Sequence, residues 1–485
     1  MPHPQHKDIR WRRSLRLHLL HKCGIWSAIP GCSHLLHRIH SPVRGLIQFS
    51  DITELTVQTR LLELLNAIDE AVEQEDHSRA LQLILNNWYN LPDPAPLRER
   101  TAMLLATVGR KREAVEVYSR VARHYANAGF PTRSLAAIKQ MQSLNPSSTQ
   151  LLDHFTTLYS VRSPFLERDL QQPTIPNLAA PPELELSQTE DTDELFSQAV
   201  ERATDPEGTA ERPGSLPALP LMSLLPPKAL RRLLDFVEYE IYAEVQPVIT
   251  AEDRPKDRDL FWAVSSDLIA HDDDEQFIIP AGTLLGVSAF RAQPAPPKYR
   301  VTSQKGSECL RLSRTAVEEL TQQFGDLPNR LATLYRHALT KRLFERHPMF
   351  AELDEQAIEK LPTRLTGLRL DSETIFIKQN KVSPGLYILL DGSADVVRQA
   401  EGTEVTIETL QPGDMIGEIG LVEPRPTVAT AITNTACHLL FCPRDDFVEF
   451  AARHPSMQTF AENRARQRIE FINEKLSDSD LEPLA

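Results

Sequence analysis

Residues 410–421 read Leu410-Gln411-Pro412-Gly413-Asp414-Met415-Ile416-Gly417-Glu418-Ile419-Gly420-Leu421. A second glycine-bounded segment starts 25 residues upstream and reads Gly385-Leu386-Tyr387-Ile388-Leu389-Leu390-Asp391-Gly392. Short apolar runs between Gly, Pro and Asp are typical of buried strands joined by tight turns. The two segments therefore predict a strand-rich domain in the C-terminal third of the chain.

Further short strands surround these segments, each bounded by turn residues. The predicted strands are residues 374–378, 386–390, 394–398, 404–410, 428–433 and 438–442. Many short strands at close spacing favour a jelly-roll barrel. We expect this barrel, with its flanking helices, to occupy residues 346–476.

The preceding residues 219–345 contain a similar series of segments. Four pairs match at offsets of 126 to 131: 220–225 with 348–353, 260–264 with 386–390, 282–286 with 413–417, and 312–314 with 442–444. Small drifts in offset are what changes in hairpin length would produce. The repeat predicts a second barrel of the same topology.

The motifs of residues 385–392 and 410–421 resemble those of the cyclic-nucleotide-binding family, which includes catabolite-activator proteins and regulatory subunits of cyclic-AMP-dependent kinase. The resemblance covers residues 346–476 well and residues 219–345 poorly. It implies a pocket for cyclic AMP or cyclic GMP in which Glu418 accepts the ribose 2′-hydroxyl. The residues that the resemblance assigns to ligand binding are Gly417, Glu418, Ile419, Gly420, Leu421, Arg425, Thr427 and Thr430.

The phosphate-binding position of the family leaves two alternatives in this chain. An alignment without a gap puts Thr427 where the family has an arginine, with Ala429 and Thr430 continuing the usual strand. A loop two residues shorter makes Arg425 the phosphate ligand instead. A charged guanidinium binds a phosphate about twice as strongly as a neutral hydroxyl does, so the alternatives predict different affinities.

In the first of the two repeats, the position of Glu418 is occupied by Val287. A valine cannot accept a hydroxyl hydrogen bond. Residues 219–345 are therefore expected to form a degenerate barrel that binds no nucleotide and serves packing and relay.

Residues 51–160 carry apolar side chains three and four residues apart, which predicts successive helices. Two stretches share a spacing that resembles the second half of a tetratricopeptide repeat: Gly109, Ala114, Tyr118 and Val121, and Gly129, Ser134, Ile138 and Met141. Such repeats stack into protein-binding surfaces. A groove that binds a protein partner and a purely structural helical cap both stay open.

Residues 161–218 contain eight prolines, twelve acidic residues and four arginines. This composition predicts a flexible linker with too few apolar residues to dock. Within it, residues 193–200 are expected to form a transient helix, with a short partner-docking turn as the alternative. The helical region should then be separable from the barrels.

The two ends of the chain differ in charge from its body. Residues 1–50 carry eight Lys/Arg and one acidic residue, a charge of +7. Because the whole chain has a net charge of −14, residues 51–485 carry −21. We expect a basic, disordered extension whose place in the native protein is open. His34, His37 and His40 lack the further ligands of a metal site, and a basic surface-binding leader is the alternative. We expect residues 477–485 to be an acidic tail that leaves no room for a DNA-binding helix pair.

A helix is predicted before this tail, with an apolar stripe that serves as a mobile lid, as a dimer seam or as simple packing. The stripe comprises Ala461, Ala465, Ile469, Ile472 and Leu476. The first two uses would couple the helix to ligand binding or to homo-oligomer formation.

The sequence thus predicts an α+β chain in which a helical, repeat-like domain precedes two jelly-roll barrels with flanking helices. The acidic body repels nucleic acid, no apolar run is long enough to span a membrane, and five scattered cysteines fit a reducing cytoplasm. Neither a catalytic motif nor a metal-ligand pattern is present, and residues 272–275 are expected to be a solvated hairpin tip. We expect a non-enzymatic cytoplasmic signalling protein; the alternative is an interaction scaffold that has lost nucleotide binding.

Overall fold

The computed structural model describes residues 49–167, 170–184, 191–250, 258–272, 275–290, 300–350, 353, 357, 361–400, 402–423 and 425–477. The predicted basic extension and the acidic tail fall almost wholly outside these ranges, as do His34, His37 and His40. The chain divides into one unit that ends at Glu63 and a second that runs from Leu64 to Ala485. All contacts given below lie within the second unit.

Helices follow one another from Phe49 to Tyr159. They are α1 (Phe49–Glu73), α2 (His77–Asn86), α3 (Ala95–Thr107), α4 (Lys111–Ala128), α5 (Pro131–Leu144) and α6 (Gln150–Tyr159). The Asp76 side chain accepts from the Arg79 backbone N–H at 3.0 Å and so begins α2. Gly129, at a φ of +87°, ends α4 in the left-handed conformation that glycine favours, and Pro131 starts α5.

The segment of residues 161–218 packs on these helices over its described part, so the expectation that it would not dock is wrong. Residues Thr192–Thr204 form helix α7, which contacts α2, α3 and α4. The buried side chains of the segment include Leu178, Leu195, Phe196, Ala199, Ala203 and Leu216. Three of them are four residues apart, so a few apolar residues on one helical face are enough to dock a segment rich in prolines and acids.

The helices also pack against the strands that follow, contrary to the expectation that they would be separable. Helix α5 contacts two strands of the next sheet. The Thr132 hydroxyl donates to the Val264 carbonyl at 3.3 Å, and the Lys139 ammonium donates to the Leu234 carbonyl at 2.7 Å. A tetratricopeptide relationship of the helices stays a prediction.

Two short strands, β1 (Leu166–Glu167) and β2 (Leu216–Pro217), pair in parallel, and a first group of eight strands follows. The eight are β3 (Glu238–Ile241), β4 (Pro247–Ile249), β5 (Leu260–Ala263), β6 (Leu268–Asp272), β7 (Glu275–Ile279), β8 (Leu284–Leu285), β9 (Arg300–Thr302) and β10 (Glu308–Leu312). They form two four-stranded sheets, β3-β10-β5-β8 and β4-β9-β6-β7. Asp272 pairs with Glu275 at the end of the β6–β7 ladder, and residues 273–274 lie outside the described residues.

A second group of eight strands lies in the C-terminal third. They are β11 (Thr366–Leu370), β12 (Ile375–Ile377), β13 (Gly385–Asp391), β14 (Ala394–Ala400), β15 (Thr403–Leu410), β16 (Met415–Ile416), β17 (Thr430–Thr433) and β18 (Cys437–Pro443). Their sheets are β11-β18-β13-β16 and β12-β17-β14-β15. The first strand therefore neighbours the eighth, and the second neighbours the seventh, in both groups.

The six predicted strands of this group coincide with observed strands, and two further strands join them. The strand of residues 366–370 carries polar side chains and glycine, and the strand at Met415 and Ile416 is only two residues long. The first shows only the brief alternation Leu368-Arg369-Leu370, and the second is too short to show any, so neither gives a clear strand signal in the sequence.

Helices flank both groups of strands. They are α8 (Pro227–Phe236), α9 (Arg314–Gln323), α10 (Leu327–Arg346), α11 (Glu418–Val422), α12 (Arg444–Arg453) and α13 (Pro455–Ser477). The core of the second group joins its two sheets to α13 through Leu389, Val396, Ile407, Ala431, Leu439, Ala465, Ile472 and Leu476. None of the helices described is both long and apolar enough to cross a membrane.

Candidate functional site

The turn between β16 and α11 is fixed by two close backbone approaches. Gly417 has a φ of +103°, and a Cβ atom there would clash with the Gly385 carbonyl oxygen. Gly385 in turn lies against the Cys442 carbonyl. Glycine alone tolerates both this conformation and this contact. Gly417 precedes the first residue of α11, so the turn sets the position of that residue, Glu418.

Glu418 is fully buried, at 0 % exposure. Its Oε1 atom accepts a hydrogen bond of 2.9 Å from Nη1 of Arg468, which belongs to α13. Its Oε2 atom has no hydrogen-bond partner among the described residues. A buried carboxylate with one oxygen left over can accept one more hydrogen bond.

Arg468 joins α13 to three neighbouring elements. Its Nη1 atom also donates to the Met415 carbonyl at 2.6 Å, and its Nε atom lies 2.8 Å from Oε1 of Glu408 on β15. Burial lowers the pKa of the Arg468 guanidinium, but the carboxylates of Glu418 and Glu408 outweigh burial and raise it above its usual value. The guanidinium is thus charged, and it holds α13 against the turn that carries Glu418.

The other residues of the turn serve packing in the structure. Ile419 and Gly420 are buried, and a Cβ atom on Gly420 would clash with the Cβ atom of Ser383. Arg444 donates to the Gly420 carbonyl at 2.7 Å. Leu421 is half-buried and packs on the core between β13 and α12.

The two candidates for the phosphate position differ in their bonding. The Thr427 hydroxyl, which is nearly buried, bonds to the Lys378 carbonyl at 2.5 Å and to the Lys381 carbonyl at 3.0 Å. The Thr430 hydroxyl accepts from the Gln379 N–H at 3.1 Å. The two threonines therefore tie the start of β17 and the residues before it to the loop after β12. The Arg425 guanidinium is about 25 % exposed and pairs with Glu423 at 3.2 Å.

A second arginine, Arg398, lies beside Arg425. Arg398 lies on the same face of β14 as the buried residues Ala394 and Val396. Its Nη1 atom donates to the Val428 carbonyl at 2.5 Å. Its Nε atom is buried without a hydrogen-bond partner among the described residues. Burial lowers the pKa of Arg398, and the positive charge of Arg425 lowers it further. The two guanidinium groups are therefore near enough for the charge of one to affect the other.

Sequence reasoning missed Arg398, Arg468 and Glu408. The signal for Arg468 was present, because this residue lies on the stripe of Ala461, Ala465, Ile472 and Leu476, and a cation in an apolar stripe needs a buried partner. The predicted stripe had Ile469 in that place, whereas the structure buries Arg468 more fully.

Residues 368–454 match the family model of the cyclic nucleotide-binding domain. A potassium channel of Arabidopsis thaliana, AKT1, is 29 % identical over 168 residues, which is 34 % of this chain and 20 % of the channel. The cAMP-dependent protein kinase regulatory subunit of Schizosaccharomyces pombe is 26 % identical over 136 residues, 28 % of this chain and 32 % of the subunit. The chain thus spans about a fifth to a third of the length of these two relatives.

Among solved structures, the regulatory domain of Toxoplasma gondii PKA in complex with cAMP aligns with a TM-score of 0.25 at 17 % identity, over 50 % of this chain and 89 % of that one. The catabolite activator protein of Thermus thermophilus aligns with a TM-score of 0.24 at 22 % identity, over 27 % of this chain and 63 % of that one.

Proposed function

We propose that the cyclic nucleotide-binding domain that this chain carries at residues 368–454 is the sensor of a non-enzymatic regulatory protein. In this proposal the two groups of eight strands are tandem jelly-roll barrels, of which the second binds a cyclic nucleotide. The helices between Phe49 and Tyr159 bind a protein partner. The cytoplasm as its location rests on the sequence alone.

The observation that carries the proposal is the buried bond between Glu418 and Arg468. A ribose 2′-hydroxyl that donates to Oε2 of Glu418 would share the carboxylate with the Arg468 guanidinium, which holds Oε1 at 2.9 Å. Binding would therefore change the strength of the contact that fixes α13. A ligand shifts an equilibrium only through such a difference in contacts between two states.

The phosphate is assigned to Arg425, with Arg398 as a second cation beside it. Thr427 is the weaker candidate because its hydroxyl already bonds to two carbonyl groups. Arg425 has to exchange its partner Glu423 for the phosphate, so the affinity is expected to be modest. The ligand-binding set of Gly417, Glu418, Ile419, Gly420, Leu421, Arg425, Thr427 and Thr430 stays part of this proposal.

The alternative function is an interaction scaffold that has lost nucleotide binding. One observation favours it: the residue at the ungapped phosphate position, Thr427, ties two parts of the backbone together. In that case the bond between Glu418 and Arg468 is a permanent structural contact.

Calorimetric titration of the full chain with cyclic AMP, cyclic GMP and adenosine separates the two functions. Losing a charged partner in a partly buried site typically costs about 2–5 kcal/mol, or roughly 30- to several-thousand-fold in affinity. We therefore expect Arg425→Ala to abolish binding of the cyclic nucleotides, and Arg425→Lys to restore little because lysine lacks the planar fork. The matched control is Arg369→Ala, an exposed arginine of β11.

One result would contradict the sensor, and another would relocate its phosphate site. A wild-type chain that binds none of the three ligands favours the scaffold. Binding that is unchanged in Arg425→Ala and improves in Thr427→Arg supports a nucleotide site but moves the phosphate to the ungapped position.

A further inference from the structure

We infer that Asn87 and Asn90, just after α2, form the centre of a recognition surface for an extended peptide. Residues 178–183 of the same chain occupy this surface in cis, and a protein partner with a similar leucine- and proline-containing segment replaces them. The inference deepens the partner-binding part of the proposed function. It is independent of nucleotide binding.

Asn90 holds the first part of this segment, just after α2. Its side-chain Oδ1 atom accepts from the Ala180 N–H at 2.7 Å, and its Nδ2 atom donates to the Ala180 carbonyl at 3.1 Å. The Ala179 N–H donates to the Asn90 backbone carbonyl at 2.8 Å. Both polar groups of one backbone residue are thus paired with one amide side chain, as they would be with a neighbouring strand.

Asn87 repeats the arrangement three residues further along the segment. Its Oδ1 atom accepts from the Glu183 N–H at 2.9 Å, and its Nδ2 atom donates to the Glu183 carbonyl at 3.0 Å. The same Nδ2 atom donates to the Leu83 carbonyl at 2.9 Å, which holds the amide in place on α2. The bond to Leu83 does not involve the segment, so it orients the Asn87 amide whether or not a peptide is bound.

The two asparagines bind only backbone atoms, and the residues between the bound positions need no N–H group. Pro181 and Pro182 lie between Ala180 and Glu183, where a missing N–H costs nothing. The one fully buried side chain of the described segment is Leu178. The surface therefore selects a leucine followed by an extended, proline-containing backbone, which is pre-organised for such binding.

A second site with the same logic holds the chain beyond α7. Nδ1 of His124 accepts from the Ala210 N–H at 2.9 Å, and Nδ2 of Asn127 donates to the Ala210 carbonyl at 2.7 Å. His124 is held in turn by Asp93, whose carboxylate lies 2.9 Å from Nε2. Since the N–H donates to Nδ1, the proton of His124 is on Nε2 and points to Asp93. The segment is therefore fixed on both sides of α7.

Another extended peptide could make the same contacts with this surface. Neutral hydrogen bonds to backbone groups and one buried leucine are contacts that any extended segment of the same form can make. The cis segment outcompetes a free peptide for the surface because its covalent tether gives it an effective concentration on the order of millimolar. A partner must therefore carry additional contacts, or the cis segment must be weakened.

The test uses the full chain and a fluorescent peptide of residues 177–184. Ala180→Pro with Glu183→Pro removes the two N–H groups that donate to Asn90 and Asn87, while polyproline stays extended. This double variant is expected to bind the peptide at least tenfold more tightly than the wild-type chain, measured by fluorescence anisotropy. Adding Asn87→Ala and Asn90→Ala should abolish that binding, whereas Asn329→Ala, an exposed asparagine of α10, should not.

Three results would overturn the inference. The first is a double variant with an unchanged circular dichroism spectrum that fails to bind the peptide. The second is binding that persists after both asparagines are replaced. The third is a wild-type dimer in light scattering that becomes monomeric in Asn87→Ala/Asn90→Ala, which would assign the surface to a second copy of this chain. Cyclic nucleotide titration of the same variants should be unchanged, so a failure of the sensor and a failure of the peptide surface are told apart.

Discussion

The two groups of eight strands share a turn but differ in the residue that follows it. Gly286 in the first group and Gly417 in the second both have a positive φ, +86° and +103°. A Cβ atom on either would clash with the carbonyl oxygen of a residue at the third strand, Asp259 or Gly385. The glycines are thus explained by the backbone alone, so a matching glycine shows a matching turn and says nothing about a ligand.

The chemistry differs at the next position. Val287 starts a single 3-10 turn in the first group, and Glu418 starts α11 in the second. A following helix contacts each turn, α10 in the first group and α13 in the second. Arg468 of α13 bonds to Glu418, whereas Arg330 of α10 donates to the Leu224 carbonyl. Both groups of strands therefore place a helix against this turn, and in the second group that contact includes a buried, charged bond.

The largest effect is expected from breaking the contact that distinguishes the second group. Arg468→Ala leaves Glu418 as a buried charge without its partner, which typically costs about 3–5 kcal/mol. The matched control is Arg466→Ala, an exposed arginine two residues earlier on α13. Thermal and urea unfolding should register the loss in Arg468→Ala and little change in the control. An equally small effect of both variants would mean that the Glu418 bond contributes nothing to holding α13.

The next largest effect is expected at the glycine turn that the two groups of strands share. Gly286→Ala and Gly417→Ala should both destabilise the chain, because the backbone conformation alone costs about 1–3 kcal/mol for a residue with a side chain and each Cβ atom adds a clash. Gly402→Ala is the control, since its φ of +85° is similar and no atom lies within 4 Å of an added Cβ. The prediction is that both variants lower the melting temperature more than the control does. A Gly286→Ala variant as stable as wild type would break the structural equivalence of the two turns.

The sequence predicted the strand-rich fold better than it predicted the Glu418 contact or the docked segment. The resemblance to the cyclic nucleotide-binding family is confirmed by the match over residues 368–454, and it rests on glycines and apolar strands that report local geometry. The partner of Glu418 could not be predicted because Arg468 is 50 residues away and meets it only through the packing of α13. The docked segment of residues 191–212 was misjudged because composition does not reveal that Leu195, Ala199 and Ala203 share one face, or that His124 and Asn127 satisfy its backbone.

The smallest effect is expected from a change at the turn of the first group of strands. Val287→Glu places a carboxylate at the equivalent turn of the first group, but at a half-buried position. We expect a stability change of about 1 kcal/mol or less and no new nucleotide affinity, because Arg330 of α10 already donates to the Leu224 carbonyl and Arg314 of α9 already donates to the Ala289 carbonyl of this turn. Gain of a second binding site in calorimetry would mean that the glutamate alone decides between the two groups.

The proposed sensor has a single nucleotide site that depends on Glu418, and the number of sites per chain tests this proposal directly. Calorimetric titration of the wild-type chain with cyclic AMP and cyclic GMP is predicted to give one site, which disappears in Glu418→Gln. Two sites per chain would contradict the account. So would micromolar or tighter binding that survives both Glu418→Ala and Arg425→Ala.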